Sequence, residues 1–370
     1  MNTDTTYMQR CIELALKGEY SSKPNPRVGC VIVKDEQVIA EGWHQFAGEV
    51  HAEVHALEKA KSNQVKAKVA GANLYVTLEP CSHHGKTAPC CDAIIAAGIS
   101  KVVYGMIDPN PAVAGKGINK LKAAGIEVVG PLLADKCAEL NPGFIKRMTT
   151  GLPYVRCKMA MSSDGRTAMA NGESKWITGE ESRQDVQQWR ARSSALITGI
   201  ETILADDPSL NVRLEEVEVL QPLRVICDSN LRLPTDAKTL QTPGEILLVS
   251  AIEKEFNTAE STITTLEQVC LPNNDNQIYL HALLQYLAKE KECNEVLIEA
   301  GSTLAGAFIK AGLVDEIILY MAPKLLGHKA LPLFTIPGLE SMADQINLEY
   351  SDVSLLGKDC RMRVRVLKSQ

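Results

Sequence analysis

Two stretches of the chain decide the fold of its first half: HAE at residues 51–53 and EPCSHHGKTAPC at residues 79–90. The spacing of apolar residues predicts one helix that begins after His51 and another that begins after Pro89. Proline is tolerated at the start of a helix because its fixed φ suits that position. Residues 73–78, between the two stretches, are predicted to form a strand. The sequence therefore predicts strand-to-helix junctions that carry residues able to bind a metal.

Three residues of these stretches form a predicted zinc site. His51, Cys81 and Cys90 supply one imidazole and two thiolates to a single tetrahedral zinc ion per chain, and they leave the fourth position to water, as in catalytic zinc sites. Zinc lowers the pKa of such a water to about 7. Glu53 follows His51 by two residues, so the two side chains point in different directions on a helix. We predict that Glu53 is the catalytic proton shuttle.

The spacing of the two thiols leaves an alternative open. The zinc-deaminase signature P-C-x-x-C has only two residues between its cysteines, whereas Cys81 and Cys90 are nine positions apart. Cys91 competes with Cys90 as a ligand, because successive helix residues diverge by about 100° and both are not expected to face one metal. We choose Cys90 because it follows Pro89. The other interpretation is that these cysteines are small buried apolar residues.

The chain has 370 residues, which suggests two domains. Predicted strands and helices alternate in both halves, so each half is predicted to be an α/β domain, the first with three layers. Turn residues in the segment 141–153 mark the join, and we place the domains at residues 1–147 and 148–370. Residues 252–275 are polar and weakly patterned, and they are predicted to lie on the surface.

The composition argues against several classes of protein. The formal net charge of −6, with 45% hydrophobic and 23% charged residues, is ordinary for a globular protein and argues against a wholly basic nucleic-acid binder. No apolar run approaches the roughly 18–20 residues of a membrane helix, and no signal peptide is recognised. We therefore expect a cytoplasmic protein that has no membrane partner. The 11 cysteines, an odd number, argue against a disulfide scaffold.

The insert between the two cysteines resembles one family. Residues 79–90 are similar to the EPCSHxGKTxPC-like stretch of the bifunctional riboflavin-biosynthesis deaminase–reductases, and NPRVGC at 25–30, GWH at 42–44 and DPNP at 108–111 resemble further blocks of that family. The resemblance implies a cytidine-deaminase-like first domain, which hydrolyses the amino group of a diaminohydroxypyrimidine ribosylamino phosphate. It also implies zinc at the three ligands. The implied substrate contacts of this domain are Asn25, His44, Lys86, Asp108 and Asn110.

The second half contains neither G-x-G-x-x-G nor a Walker-type loop. Its candidate anion site is the turn EAGSTLAGA at residues 299–307, between a predicted strand and a predicted helix. Free N–H groups at a helix start bind phosphates, although an ordinary turn with Ser302 as N-cap would explain the same residues. Further stretches resemble the same family: KMAMSSDG at 158–165, SKWIT at 174–178 and DDPSLNVR at 206–213.

For this half, the resemblance implies a dihydrofolate-reductase-like domain that uses NADPH to reduce the ribosyl group to ribityl. The implied cofactor contacts are Ala160, Trp176, Thr202, Asp206, Gly301, Ser302, Thr303, Leu304, Ala305, Gly306 and Ala307. The implied substrate contacts are Ser174, Arg190, Leu210, Arg213 and Glu299. The two arginines suit a sugar phosphate, because guanidinium binds phosphate through paired hydrogen bonds. Asp206 and Glu299 are the candidate proton donors of the reduction.

Two other functions stay open on the sequence alone. A zinc deaminase could act on another nucleotide or on a nucleic-acid base, with a second domain that binds a nucleotide without catalysis. The negative net charge and the 5% of aromatic residues weigh against a nucleic-acid substrate. A protein with a purely structural zinc would have no use for Glu53. We predict a bifunctional enzyme that acts on a small phosphorylated pyrimidine and binds no nucleic acid. The family resemblance also implies that the protein forms a homo-oligomer.

Overall fold

The computed structural model describes residues 3–62, 69–82, 88–111, 113–214, 219–257 and 263–367, and the chain divides into two units, residues 1–151 and 152–370. The sequence analysis ended the first domain at residue 147. That residue lies inside the helix Pro142–Thr150, which Gly151 ends in a left-handed conformation with φ of 72°. Glycine adopts this conformation without steric cost.

The first unit is built on a five-stranded sheet with the order β2-β1-β3-β4-β5. The strands β1 and β2 form an antiparallel hairpin and β3, β4 and β5 run parallel to one another. The described strands are β1 (Gly29–Lys34), β2 (Gln37–Trp43), β3 (Asn73–Leu78), β4 (Lys101–Met106) and β5 (Glu127–Val129). The described helices are α1 (Thr3–Leu16), α2 (Ala52–Ser62), α3 (Cys90–Ala96), α4 (Lys116–Ala123), α5 (Ala134–Leu140) and α6 (Pro142–Thr150).

The side chains of β1 point alternately to the two faces of the sheet, and the core of this unit has one part on each face. Cys30 and Ile32 pack in one cluster with residues of α2, α3 and α4, whereas Val31 and Val33 pack in another with residues of α1 and α5. Successive side chains of a strand point to opposite faces, so a strand covered on both sides is apolar throughout. The predicted three-layer α/β architecture is confirmed.

The second unit is built on a nine-stranded sheet with the order β11-β10-β9-β8-β12-β6-β13-β16-β15. Its strands run parallel from β11 to β13, and β16 and β15 add an antiparallel edge. The described strands are β6 (Tyr154–Ser162), β7 (Arg166–Ala168), β8 (Ala195–Gly199), β9 (Leu223–Cys227), β10 (Gly244–Ser250), β11 (Thr264–Cys270), β12 (Glu295–Ile298), β13 (Glu316–Ala322), β14 (Leu331–Pro332), β15 (Leu348–Leu356) and β16 (Asp359–Val366). The described helices are α7 (Glu180–Arg192), α8 (Ile200–Asp206), α9 (Leu280–Lys289) and α10 (Ser302–Lys310).

Two parts of this sheet have weak sequence patterns. The segment 252–275, predicted only as surface, contains the edge strand β11, which pairs with β10 alone. The hairpin of β15 and β16 carries an irregularity between Tyr350 and Asp352, so apolar residues do not alternate regularly along β15. Within the described residues, no helix combines the length and the apolarity needed to span a membrane.

Candidate active sites

The three predicted zinc ligands lie together in the first unit. His51 directly precedes α2, Cys81 follows the end of β3, and Cys90 is the first residue of α3. The Nδ1 atom of His51 lies 3.1 Å from Cys90 Sγ and 3.5 Å from Cys81 Sγ, and the two Sγ atoms are 3.4 Å apart. Ligand bonds of about 2.0–2.3 Å in a tetrahedral geometry place neighbouring ligand atoms roughly 3.5 Å apart. The donor set and its spacing therefore fit zinc.

A close approach of two backbones brings α2 to this position. A Cβ atom at Gly42 of β2 would lie 2.4 Å from the carbonyl oxygen of Ala52, the first residue of α2. Only glycine therefore lets the start of α2, with His51 and Glu53, pack directly on the strand.

The Glu53 carboxyl group is buried beside the ligands, with 3% of the residue exposed. Burial raises its pKa to about 7, although the neighbouring His51 opposes the shift. A carboxyl group with a pKa near neutrality can both accept and release a proton at physiological pH. The hydrogen bond with Cys90 and the adjacent His51 lower the pKa of Cys81 to about 4, so Cys81 is a thiolate at neutral pH.

The thiols of the adjacent residues Cys90 and Cys91 have different contacts. The Cys90 thiol faces His51 and Cys81, whereas the Cys91 Sγ lies 3.4 Å from the carbonyl oxygen of Pro80 and 3.6 Å from that of Gly117. Burial raises the pKa of Cys91 to about 12, so it stays a neutral thiol. The interpretation of Cys91 as a buried, non-ligating residue matches these contacts.

Two predicted substrate contacts lie next to the ligands. The side-chain amide of Asn25 lies 3.0 Å from His44 Nε2, and His44 Nδ1 lies 3.2 Å from the carbonyl oxygen of Val50. The rings of His44 and His51 meet edge to face with 5.3 Å between centroids. Burial lowers the pKa of His44 to about 4, so its ring is neutral at pH 7. Lys86, another predicted contact, is outside the described residues.

The predicted contacts Asp108 and Asn110 follow the end of β4. The Asp108 side chain accepts a hydrogen bond of 2.8 Å from the Asn110 N–H. The Asp108 N–H in turn donates to the buried Glu79 carboxylate over 3.2 Å. The sequence analysis quoted Glu79 within its motif but assigned it no role, because its hydrogen-bond partners lie 29–39 positions away in the chain.

The second unit contains an open cleft of about 1970 Å³. Pockets that bind drug-sized ligands measure about 300–1,000 Å³, so this cleft has room for a dinucleotide and a second small molecule. Most of the predicted contacts of this unit line the cleft: Ala160, Ser174, Trp176, Arg190, Thr202, Asp206, Leu210, Arg213, Glu299, Gly301, Ser302, Thr303, Leu304 and Ala307. Two do not line it, because Ala305 is buried in the core and Gly306 packs against the carbonyl oxygen of Thr335.

A charged group lies in this cleft. Arg190 donates from Nε and Nη2 to the two carboxylate oxygens of Glu299 over 2.6 and 2.9 Å. Glu299 is half-buried, and the guanidinium of Arg190 lowers its pKa against the effect of desolvation, so it is ionised at neutral pH. Lys158, which lines the same cleft and is half-buried, has its pKa lowered by desolvation, while Glu299 opposes the shift. The sequence analysis quoted Lys158 in a motif without a role, because its place in the cleft does not show in the sequence.

The start of α10 offers phosphate-binding geometry. Gly301 is the N-cap with an extended backbone, and Gly301, Ser302 and Thr303 line the cleft, so the first turn of the helix faces it. Ser302 is the first residue of the helix rather than its cap. Unpaired N–H groups and the helix dipole favour an anion at this position. The turn and the cleft together fit a dinucleotide.

Comparisons with known proteins match both halves of the chain. The family model described as the cytidine and deoxycytidylate deaminase zinc-binding region matches residues 1–106, and the RibD C-terminal domain matches residues 153–361. Matches to both models do not favour a deaminase with a non-catalytic second domain.

Full-length relatives match as well. The riboflavin biosynthesis protein RibD of Escherichia coli is 47% identical over 367 residues, covering 96% of this chain and 97% of that protein. The structure of Acinetobacter baumannii RibD has 48% identity and a TM-score of 0.90, and it covers 99% of both chains. A Thermotoga maritima structure, described as a diaminohydroxyphosphoribosylaminopyrimidine deaminase/5-amino-6-(5-phosphoribosylamino)uracil reductase, has 33% identity and a TM-score of 0.87 over 99% of both chains. The chain therefore belongs to the RibD family of bifunctional deaminase–reductases of riboflavin biosynthesis.

Proposed function

We propose that the first unit hydrolyses an exocyclic amine of 2,5-diamino-6-ribosylamino-4(3H)-pyrimidinone 5′-phosphate and that the second reduces the ribosyl group of the product to ribityl with NADPH. The name of the Thermotoga maritima relative supports this pair of reactions. The observation that carries the proposal is the cluster of His51, Cys81 and Cys90 with the buried Glu53 beside it.

In the deamination, one zinc ion per chain is held by His51, Cys81 and Cys90. Zinc, when bound, makes water nucleophilic at neutral pH. Glu53 takes a proton from the attacking water and delivers it to the departing amine, so that a C–O bond forms, the C–N bond breaks and ammonia leaves. The substrate is held by Asn25, His44, Lys86, Asp108 and Asn110.

In the reduction, bound NADPH would supply a hydride for the first carbon of the sugar, and the protein would supply one proton. Arg190, Arg213 and Glu299 bind the substrate, together with Ser174 and Leu210. Glu299 is ionised through its pairing with Arg190 and is a poor proton donor. Lys158 is the better donor, because its pKa is lowered and it lines the cleft.

The cleft and the start of α10 would hold the cofactor. The residues that would contact it are Ala160, Trp176, Thr202, Asp206, Gly301, Ser302, Thr303, Leu304 and Ala307. The size of the cleft and the open Gly301 support this assignment. Ala305 and Gly306 have structural roles in packing α10.

The test is mass spectrometry of the diaminopyrimidine ribosylamino phosphate after incubation with the zinc-loaded protein, with and without NADPH. We expect exchange of one amine for oxygen without NADPH and the addition of two further hydrogens with it. Exchange alone would contradict the proposed reduction. No change in either sample would contradict both reactions.

We also propose that the chain forms a homo-oligomer through β15. Leu348, Tyr350, Val353 and Leu355 are exposed by 46, 68, 59 and 78%. They pair with Val366, Val364, Met362 and Cys360 of β16, which places them on one face of the hairpin. An apolar row on an edge strand is typical of an interaction surface. Sedimentation of wild-type protein and Leu355→Lys tests this proposal, with a monomeric variant as the expected result.

The cytoplasmic location stays a prediction.

A further inference from the structure

The Glu79 carboxylate is buried immediately after β3, with 3% of the residue exposed, and it accepts four backbone hydrogen bonds. Its Oε1 atom accepts from the N–H groups of Gly117 and Ile118 over 2.9 and 3.3 Å. Its Oε2 atom accepts from those of Asp108 and Gly115 over 3.2 and 2.9 Å. One side chain thereby holds both Asp108, two residues after β4, and the start of α4.

The segment held by Glu79 packs directly against the loop that carries a zinc ligand. The Glu79 N–H donates to the carbonyl oxygen of Met106 at the end of β4 over 2.9 Å. A Cβ atom at Gly117 would lie only 2.0 Å from the carbonyl oxygen of Pro80. Cys81 follows Pro80. The contacts of Glu79 therefore fix the distance between Cys81 and the segment 108–118.

We propose that Glu79 is a positioning residue of the deaminase, which holds Asp108 and Asn110 at a fixed distance from the zinc ligands so that both can bind the pyrimidine substrate. This inference rests on the substrate contacts proposed above for these two residues. Carboxylates are suited to this role, because each oxygen accepts two bonds and the negative charge is favourable at the start of α4. Glu79 acts through the loop and does not touch the reacting atoms.

The test is Glu79→Gln in the zinc-loaded, full-length protein. A glutamine amide has one acceptor oxygen, so in either orientation its NH₂ group faces two backbone N–H donors and those two bonds are lost. We expect the KM of deamination to rise roughly tenfold, while kcat stays within about threefold. Zinc content and the reductase activity of the same protein should be unchanged.

Asp92→Asn is the matched control. Asp92 on α3 forms an ion pair of 2.6 Å with Lys120 of α4, and its side chain is 48% exposed. This control removes another carboxylate that contacts α4 without touching the bonds that Glu79 makes. Its KM should equal that of the wild type. Glu79→Asp, which keeps both acceptor oxygens, should raise KM less than Glu79→Gln does.

Hydrogen exchange of residues 108–118 provides a readout that is independent of activity. We expect faster exchange there in Glu79→Gln and unchanged exchange in β3. An unchanged KM with only a lower melting temperature would make Glu79 merely structural and overturn the proposal, as would loss of zinc. If Glu79→Gln does not fold, Glu79→Asp decides by the same criteria. A wild-type protein without deaminase activity would instead contradict the proposed function, while the exchange data would still report on the contacts of Glu79.

Discussion

The two candidate sites differ in how much of their geometry is already assembled. In the first unit, the three proposed ligand atoms lie within 3.5 Å of one another, and Glu53, the proposed proton shuttle, is buried beside them. In the second unit, the functional side chains line a cleft of about 1970 Å³ and pair with one another, as Arg190 does with Glu299. The deaminase site is organised around one atom, whereas the reductase site is organised along the length of its ligands. Loss of one metal-binding side chain should therefore abolish deamination, whereas loss of one side chain that lines the cleft should only weaken reduction.

The strongest test of this difference is Cys81→Ala. Loss of one of three ligands should abolish zinc binding, and deamination should fall by more than about a thousandfold because water is no longer activated. Reduction of the deaminated intermediate should be unchanged. Zinc content by mass spectrometry and separate assays of the two steps provide the check. Cys91→Ala is the control and should retain zinc, and loss of both activities in Cys81→Ala would contradict two separate sites.

Glu53→Gln separates the proton shuttle from the metal. The amide cannot accept the proton, so deamination should fall by about 10²–10⁴-fold, while the zinc content stays that of the wild type. Metal analysis and initial rates on the same preparation measure both quantities. Unchanged turnover would show that the zinc is structural or that another base acts.

The pH dependence of the first unit should reveal His44. In the unfolded chain, histidine protonates near pH 6.5, whereas in the folded state burial lowers the pKa of His44 to about 4. The unfolded state therefore binds more protons between these values, and stability is lost as the pH falls through this range. We expect a loss of about 2 kcal/mol between pH 6.5 and 5.

Hydrogen exchange of β1 and β2, corrected for the intrinsic pH dependence, measures this loss in the zinc-loaded protein. His44→Gln removes the titrating group and should flatten the pH dependence, even though its absolute stability differs. An equal slope in the two proteins would assign the effect to another group.

The smallest effect is expected in the second site. Arg213 is exposed and donates to the side chain of Asn211 over 2.7 Å. It lines the cleft together with other cations, among them Arg190 and Lys158, so its loss leaves positive charge in place. Arg213→Ala should raise the KM of reduction roughly tenfold and leave deamination unchanged. Steady-state kinetics on the deaminated intermediate measure this. A loss as large as that expected for Cys81→Ala would contradict the difference between the two sites.

The same difference explains which parts of the site could be predicted from the sequence. His51, Cys81 and Cys90 lie at the ends of elements with clear periodicity, so local patterns placed them together. The choice between Cys90 and Cys91 depended on the rotation of α3, which a seven-residue helix does not reveal in advance. The hydrogen-bond donors to Glu79 are backbone N–H groups far along the chain. Almost every residue type has such a group, so the sequence does not show which ones bind Glu79.

In the second unit, the sequence predicted the central strands well because they are continuously apolar. It missed the edge, since β15 exposes its apolar residues and is irregular after Tyr350. The surroundings of Lys158 depend on the cleft that several elements form together. The roles of side chains that depend on their tertiary surroundings could therefore be predicted only from the structure.

The two cysteine ends are joined to each other by backbone groups as well as by their thiols. The Cys90 N–H donates to Cys81 Sγ and the Cys91 N–H to the carbonyl oxygen of Cys81, each over 3.2 Å. Every residue except proline carries a backbone N–H group. A substitution of Cys91 that keeps this N–H group therefore leaves the closure between residues 81 and 91 in place, and the position next to a zinc ligand tolerates changes of side chain that the ligand itself does not.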